Sequence, residues 1–401
     1  MNSGSRRKII FLFLLLLAFP WFFELLHLVV PPNNLSLASF ITPSFDEYLA
    51  SSIVIIGFLL LTYYAAIFSV RIKIPFKSNG TLRASRGIIA KCAGLLPLLT
   101  VLDLVFLFSS LQGELAEVLL AFRNNEVSIG YFGYFLLYYY PIVLAITWFR
   151  NKASTNISCL VLFAITNLIT GFRTILISSL ILIVVYNYSI FKQASLLAKF
   201  ASVALFIALF LAYGAFRTSL ELGALISPET GGSFLDSLNR SFPIRYMVIS
   251  LRSDVSATFS NLLDLFASPF SVLIERADGT YNPEHATAIT ERLVRPYLVW
   301  RGTPGYLASG FSIHIVPFSY LFFGVFGLFF SAFLIGSSFG LGINLSSFHG
   351  VLPRVIGSFL ITFALSCSES FISGFGSLCY RTVFLLPLIF FSAVSSRSQL
   401  R

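Results

Sequence analysis

Arg6–Val30 reads RRKIIFLFLLLLAFPWFFELLHLVV, three cations followed by an apolar run from Ile9 to Val30. A bilayer core needs about 20 apolar residues to span it as a helix. The basic start resembles the n-region of a signal peptide. The run is too long for an h-region, however, and no small-residue cleavage site follows it. The stretch therefore reads as an uncleaved first transmembrane helix, and the rest of the chain repeats the pattern. Of 401 residues, 57% are hydrophobic and only 11% charged, against about 25% charged in a soluble domain. That balance excludes a soluble enzyme, a nucleic-acid-binding protein and a disordered chain.

Ten apolar segments qualify as spans, at 9–30, 48–70, 88–111, 130–149, 157–170, 174–191, 199–216, 316–337, 351–368 and 380–396. The expected fold is all-α and polytopic, with about ten transmembrane helices and one large outer loop. Residues 1–216 hold helices one to seven, 217–310 form the loop, and 311–401 hold helices eight to ten. The fifth and sixth spans, joined by Gly171-Phe172-Arg173, read as a tight hairpin. Within the loop, Leu262–Ile274 is too short to cross and reads as a re-entrant or interfacial helix. Cys92, Cys159, Cys367 and Cys379 form no ligand pattern and read as small buried hydrophobes.

Loop charge sets the orientation. With the N-terminus cytoplasmic, the loops on its side hold 16 of the 27 Lys and Arg, as the positive-inside rule requires. Both termini then face the cytoplasm and the long loop faces outward. All seven lysines fall on the inner side, which has no Asp or Glu, whereas all eleven outer cations are Arg. Topology accounts for the lysines but not for this choice of Arg. A guanidinium is planar, always charged and forked to match phosphate or carboxylate oxygens. The outer side still carries fifteen carboxylates against those eleven arginines. Any anion site there must be local.

Arg173, between two short spans, and Arg217, at the outer end of the seventh, are placed to converge on one phosphate group. Arg240, Arg245 and Arg252 follow in the loop. A helix over 244–254 would put Arg245 and Arg252, seven apart, on one face. Arg292 and Arg295 lie three apart farther on. The plain alternative is that these arginines pair with acids. Candidate proton acceptors are the loop carboxylates from Glu221 to Glu291, Glu369, His285 and His314, the last just ahead of an apolar span. Inside the spans, Glu24 and Asp103 are the only acids, read here as hydrogen-bonding groups that hold helices together. No HExxH, DxD or Walker A pattern is present, so neither a metal nor a cofactor is expected and an energised donor must arrive ready-made.

Two segments carry a resemblance. Thr170-Gly171-Phe172-Arg173-Thr174 is similar to the Gly-x-Arg-[Ser/Thr] start of a span, and Pro317-Phe-Ser-Tyr320-Leu-Phe-Phe323-Gly324-Val-Phe-Gly327 to the "P…Y…FG..G" segment, of the Wzy-type O-antigen polymerases. These are bacterial oligosaccharide repeat-unit polymerases with ten or so spans and a dominant late outer loop. Many of them read Gly-Glu-x-Tyr where Phe318 stands here. His314 is the replacement candidate, near where the related O-antigen ligases place a His.

The resemblance implies glycosyl transfer at the outer face of the inner membrane, from undecaprenyl pyrophosphate to a sugar hydroxyl of the next lipid-linked repeat unit. Arg173 and Arg217 would hold the departing pyrophosphate. Arg240, Arg245 and Arg252 would extend the patch or grip an acidic glycan, with Arg292 and Arg295 beyond them. His314 or a loop carboxylate would take the acceptor's proton, and Tyr281 would stack on a sugar. A separate chain-length regulator is implied as a partner. An O-antigen ligase would show the same arginine-rich outer face. A flippase would place its charges near the midplane of repeated halves.

Overall fold

The computed structural model describes residues 3–26, 28, 42–74, 93–105, 109, 140, 143–144, 153–170, 173–186, 195, 243–252, 314–348 and 351–369. Among them all regular structure is helical: α1 (Ser3–Leu26), α2 (Phe45–Val70), α3 (Ala93–Val105), α4 (Ala153–Thr170), α5 (Arg173–Tyr186), α6 (Pro243–Arg252), α7 (Ile315–Ser346) and α8 (Val351–Glu369). Three helical stretches are long and apolar enough to cross a membrane, Gly4–Leu26, Phe45–Val70 and Phe323–Ser346. Shorter apolar helices at Ala93–Val105, Ser154–Thr166 and Pro353–Cys367 fall on expected spans. The spans expected at 199–216 and 380–396, and the interfacial stretch 262–274, lie outside the described residues. Most of 130–149 lies outside them as well.

Why these helices suit a lipid environment is visible on their surfaces. One side of α2 leaves Phe45, Leu49, Ile53, Ile56, Leu60, Tyr64 and Phe68 exposed, a stripe that recurs at helical spacing along the whole element. Such a face is a liability in water and ordinary in a bilayer. Between lipid-embedded helices apolar burial provides little driving force, so close packing must hold them together. Small residues make that contact here. A Cβ added at Gly336 would collide with the Thr62 carbonyl of α2, and one at Gly340 with the Ala66 carbonyl. Gly342 of α7 and Gly357 of α8 make the same close approach to each other. The rings of Phe13 on α1 and Phe339 on α7 stack 3.9 Å apart at 13°.

The eighth predicted span needs correction. The expectation was one crossing over 316–337. Instead the chain reverses at Gly324, whose φ of 59° and ψ of −144° lie in territory open essentially to glycine alone. Ser319 and Ser331 would be about 18 Å apart on a straight helix, yet their hydroxyls are 2.7 Å apart. A Cβ on Gly327 would likewise meet the Ser319 carbonyl. Residues 315–323 therefore form a short arm folded against the long arm, 325–346. The stretch long and apolar enough to cross a membrane is Phe323–Ser346, and its exposed surface presents Phe326, Phe329, Phe330 and Phe333.

The helix ends sort by charge. At one end Arg6 of α1 donates to Val70 O (3.5 Å), Asn344 Oδ1 (3.4 Å) and Ser347 Oγ (3.1 Å). The start of α1 and the ends of α2 and α7 thus meet there. Glu24 and Glu47 occupy the opposite ends of α1 and α2. Elsewhere Tyr140 donates to the Cys159 carbonyl of α4 at 3.0 Å, pairs with Thr100 of α3 at 2.9 Å and stacks on Phe163. Cys159 and Cys367 are buried and form no disulfide, as expected for small hydrophobes.

Candidate functional site

The expected helix around residues 244–254 exists as α6, and it lies across the ends of α1 and α2. Its residues Pro243 to Ser250 are all buried. Such burial leaves the first N–H groups of the helix without water as a partner. Glu24 supplies the acceptors: one carboxylate oxygen takes the Ile244 N–H, and the other takes the Arg245 N–H at 2.9 Å. A carboxylate at a helix N-terminus also meets the positive end of the helix dipole. The second oxygen further accepts Arg245 Nη1 at 3.0 Å, with both side chains buried. Glu24 thus ties α1 to the loop helix, the role read for it in the sequence.

One face of α6 does carry both arginines, but each meets an acid of a membrane helix. Arg252 grips Glu47 with both arms of its fork, Nε to Oε1 and Nη2 to Oε2, each at 2.6 Å. This hydrogen-bonded carboxylate raises the Arg252 pKa above its ordinary value. The same carboxylate accepts Ser44 N at 2.7 Å while Ser44 Oγ takes the Glu47 N–H, a capping box that starts α2. Sequence reasoning passed over Glu47, although Ser44-Phe-Asp-Glu47 ahead of an apolar run was a readable signal. Arg245 and Arg252, expected to extend an anion-binding patch, are instead engaged by Glu24 and Glu47 and fasten the loop. A carboxylate already occupies the fork of Arg252 and one arm of that of Arg245.

His314 is 1% exposed and caps α7. Its Nδ1 accepts the Val316 N–H at 3.4 Å, so the ring proton belongs on Nε2, which points to the Leu17 carbonyl of α1 at 3.3 Å. With both nitrogens engaged, the ring offers no lone pair to an acceptor hydroxyl. The proton-accepting role expected of His314 does not fit this geometry. The ring instead locks the short arm of α7 against α1, and the Ser250 hydroxyl reaches the Pro317 carbonyl from α6 at 3.5 Å.

Arg173 stands at the first position of α5, three residues after Thr170, the last of α4. Arg217, Arg240, Tyr281, Arg292 and Arg295 lie outside the described residues. The architecture is that of an all-helical protein with helices suited to a membrane, carrying a buried loop helix pinned across two of them. No family model, curated protein or solved structure matches the chain.

Proposed function

We propose that the chain polymerises undecaprenyl-pyrophosphate-linked oligosaccharide repeat units, of O-antigen or a related surface polysaccharide. It works as a metal-independent glycosyltransferase at the periplasmic face of the bacterial inner membrane. It crosses that membrane about ten times with both termini in the cytoplasm. The observation that carries the reading is the exclusive use of Arg among the outer cations. Two of them, Arg245 and Arg252, are engaged by carboxylates of α1 and α2. That anchors the loop on α1 and α2, and the anion is assigned to Arg173, Arg217 and Arg240.

The chemistry asks for such a layout. The anomeric carbon–oxygen bond to the pyrophosphate breaks, a glycosidic bond to the acceptor hydroxyl forms, and the hydroxyl proton passes to a loop carboxylate. Arg173 and Arg217 neutralise the charge growing on the leaving pyrophosphate. Arg292, Arg295 and Tyr281 grip the glycan. The grouping of Arg6 with the ends of α2 and α7, opposite Glu24 and Glu47, supports the inside-out orientation used here.

Deletion in a strain that makes a capped lipid A core tests the reading. Cores capped with one repeat unit support it. Loss of all capping with lipid-linked polymer accumulating would point to a ligase, and accumulation of cytoplasmic lipid-linked units to a flippase.

A further inference from the structure

The end of the bundle opposite the loop helix holds a feature the polymerase reading does not use. A cavity of about 610 Å³ opens between the start of α1 and the ends of α2 and α7. Arg6, Arg7, Arg71 and Lys73 line it, and among the described residues no acid does. Positive-inside bias explains cations on this side, but it does not gather four of them around one cavity, where they repel one another. Arg6 is fixed there by Val70, Asn344 and Ser347, and its Nε is buried with no partner among the described residues. Ile67 and Phe348 form an apolar wall beside the charges. A guanidinium cluster next to an apolar wall at the end of membrane helices matches a phosphodiester with an acyl chain attached.

We infer that this cavity binds the phosphate of an anionic lipid headgroup from the inner leaflet. Arg71 and Lys73, both exposed, reach for the headgroup, while Arg6 forms the fixed floor. The site is independent of the reaction proposed for the outer face.

The test uses the full chain in detergent, with native mass spectrometry reading retained lipid. Phosphatidylglycerol should be retained in preference to phosphatidylethanolamine. The double variant Arg71→Gln/Lys73→Gln should weaken that retention about thirtyfold, from two lost cations near an anionic surface. Both substitutions are at exposed positions, and Lys73→Gln alone, with an intermediate loss, serves if the double variant is unstable. Equal retention of the two lipids, or unchanged retention in the variants, would overturn the site. Inorganic phosphate displacing phosphatidylglycerol at millimolar concentration would overturn the lipid assignment in favour of a soluble anion.

Discussion

Arg245 Nη1 lies 3.0 Å from Glu24 Oε1, although the two residues are 221 positions apart, and both side chains are buried. A buried ion pair adds little when compared with an apolar pair of the same volume, but losing one partner strands a charge. Glu24→Ala should therefore destabilise the protein by on the order of 3–5 kcal/mol. Glu24→Gln should cost less, because an amide oxygen still accepts a backbone N–H of α6. Thermal unfolding in detergent reads the difference, and equal stability of Glu24→Ala and wild type would contradict the pairing.

The second bridge should behave differently. Glu47 and Arg252 are solvent-accessible, and such pairs contribute roughly 0–1 kcal/mol. Arg252→Ala should thus be nearly neutral and less consequential still at high salt. Glu47→Ala also removes half of the capping box with Ser44, so it should cost about 1 kcal/mol more. The order of the two melting temperatures checks this.

At Gly324 an added Cβ would touch nothing within 4 Å, so any cost comes from the backbone alone. Gly324→Ala should cost about 1–3 kcal/mol by opposing the reversal that brings Ser319 to Ser331. Gly340→Ala should disrupt α2–α7 packing by collision with the Ala66 carbonyl instead. A cysteine pair at positions 319 and 331, cross-linking in otherwise wild-type protein, would establish the reversal. Its absence would refute it.

His314 separates a cap from a base. Asn is a good N-cap residue, so His314→Asn should keep most polymer formation, while His314→Ala should lower stability. Abolished polymerisation in His314→Asn, with normal expression and melting, would restore the catalytic role denied to it here.

For the proposed reaction, Arg173→Lys and Arg217→Lys keep the charge but lose the fork. Long-chain polymer should disappear from cells while single repeat units still reach the surface. Normal chain lengths in both variants would end the two-armed phosphate idea.

Composition and periodicity were sufficient to predict helices long and apolar enough to cross a membrane. Apolar runs long enough to cross a bilayer place 48–70 within α2 and 351–368 within α8, because span length is a local property of sequence. The separation of α4 from α5 was legible for the same reason, as was Glu24, since an acid inside an apolar run demands a partner. The partner itself was not legible. Nothing near Arg245 in sequence announces a residue 221 positions away, and free or engaged, a guanidinium reads the same. Tertiary structure alone decided that Arg245 and Arg252 meet carboxylates of α1 and α2, and that His314 has both nitrogens occupied. It also decided that a 32-residue apolar helix folds back at Gly324. Apolar sequence continues unbroken through that glycine, although the short arm is largely buried and the long arm exposes phenylalanines, and only backbone torsion turns the chain.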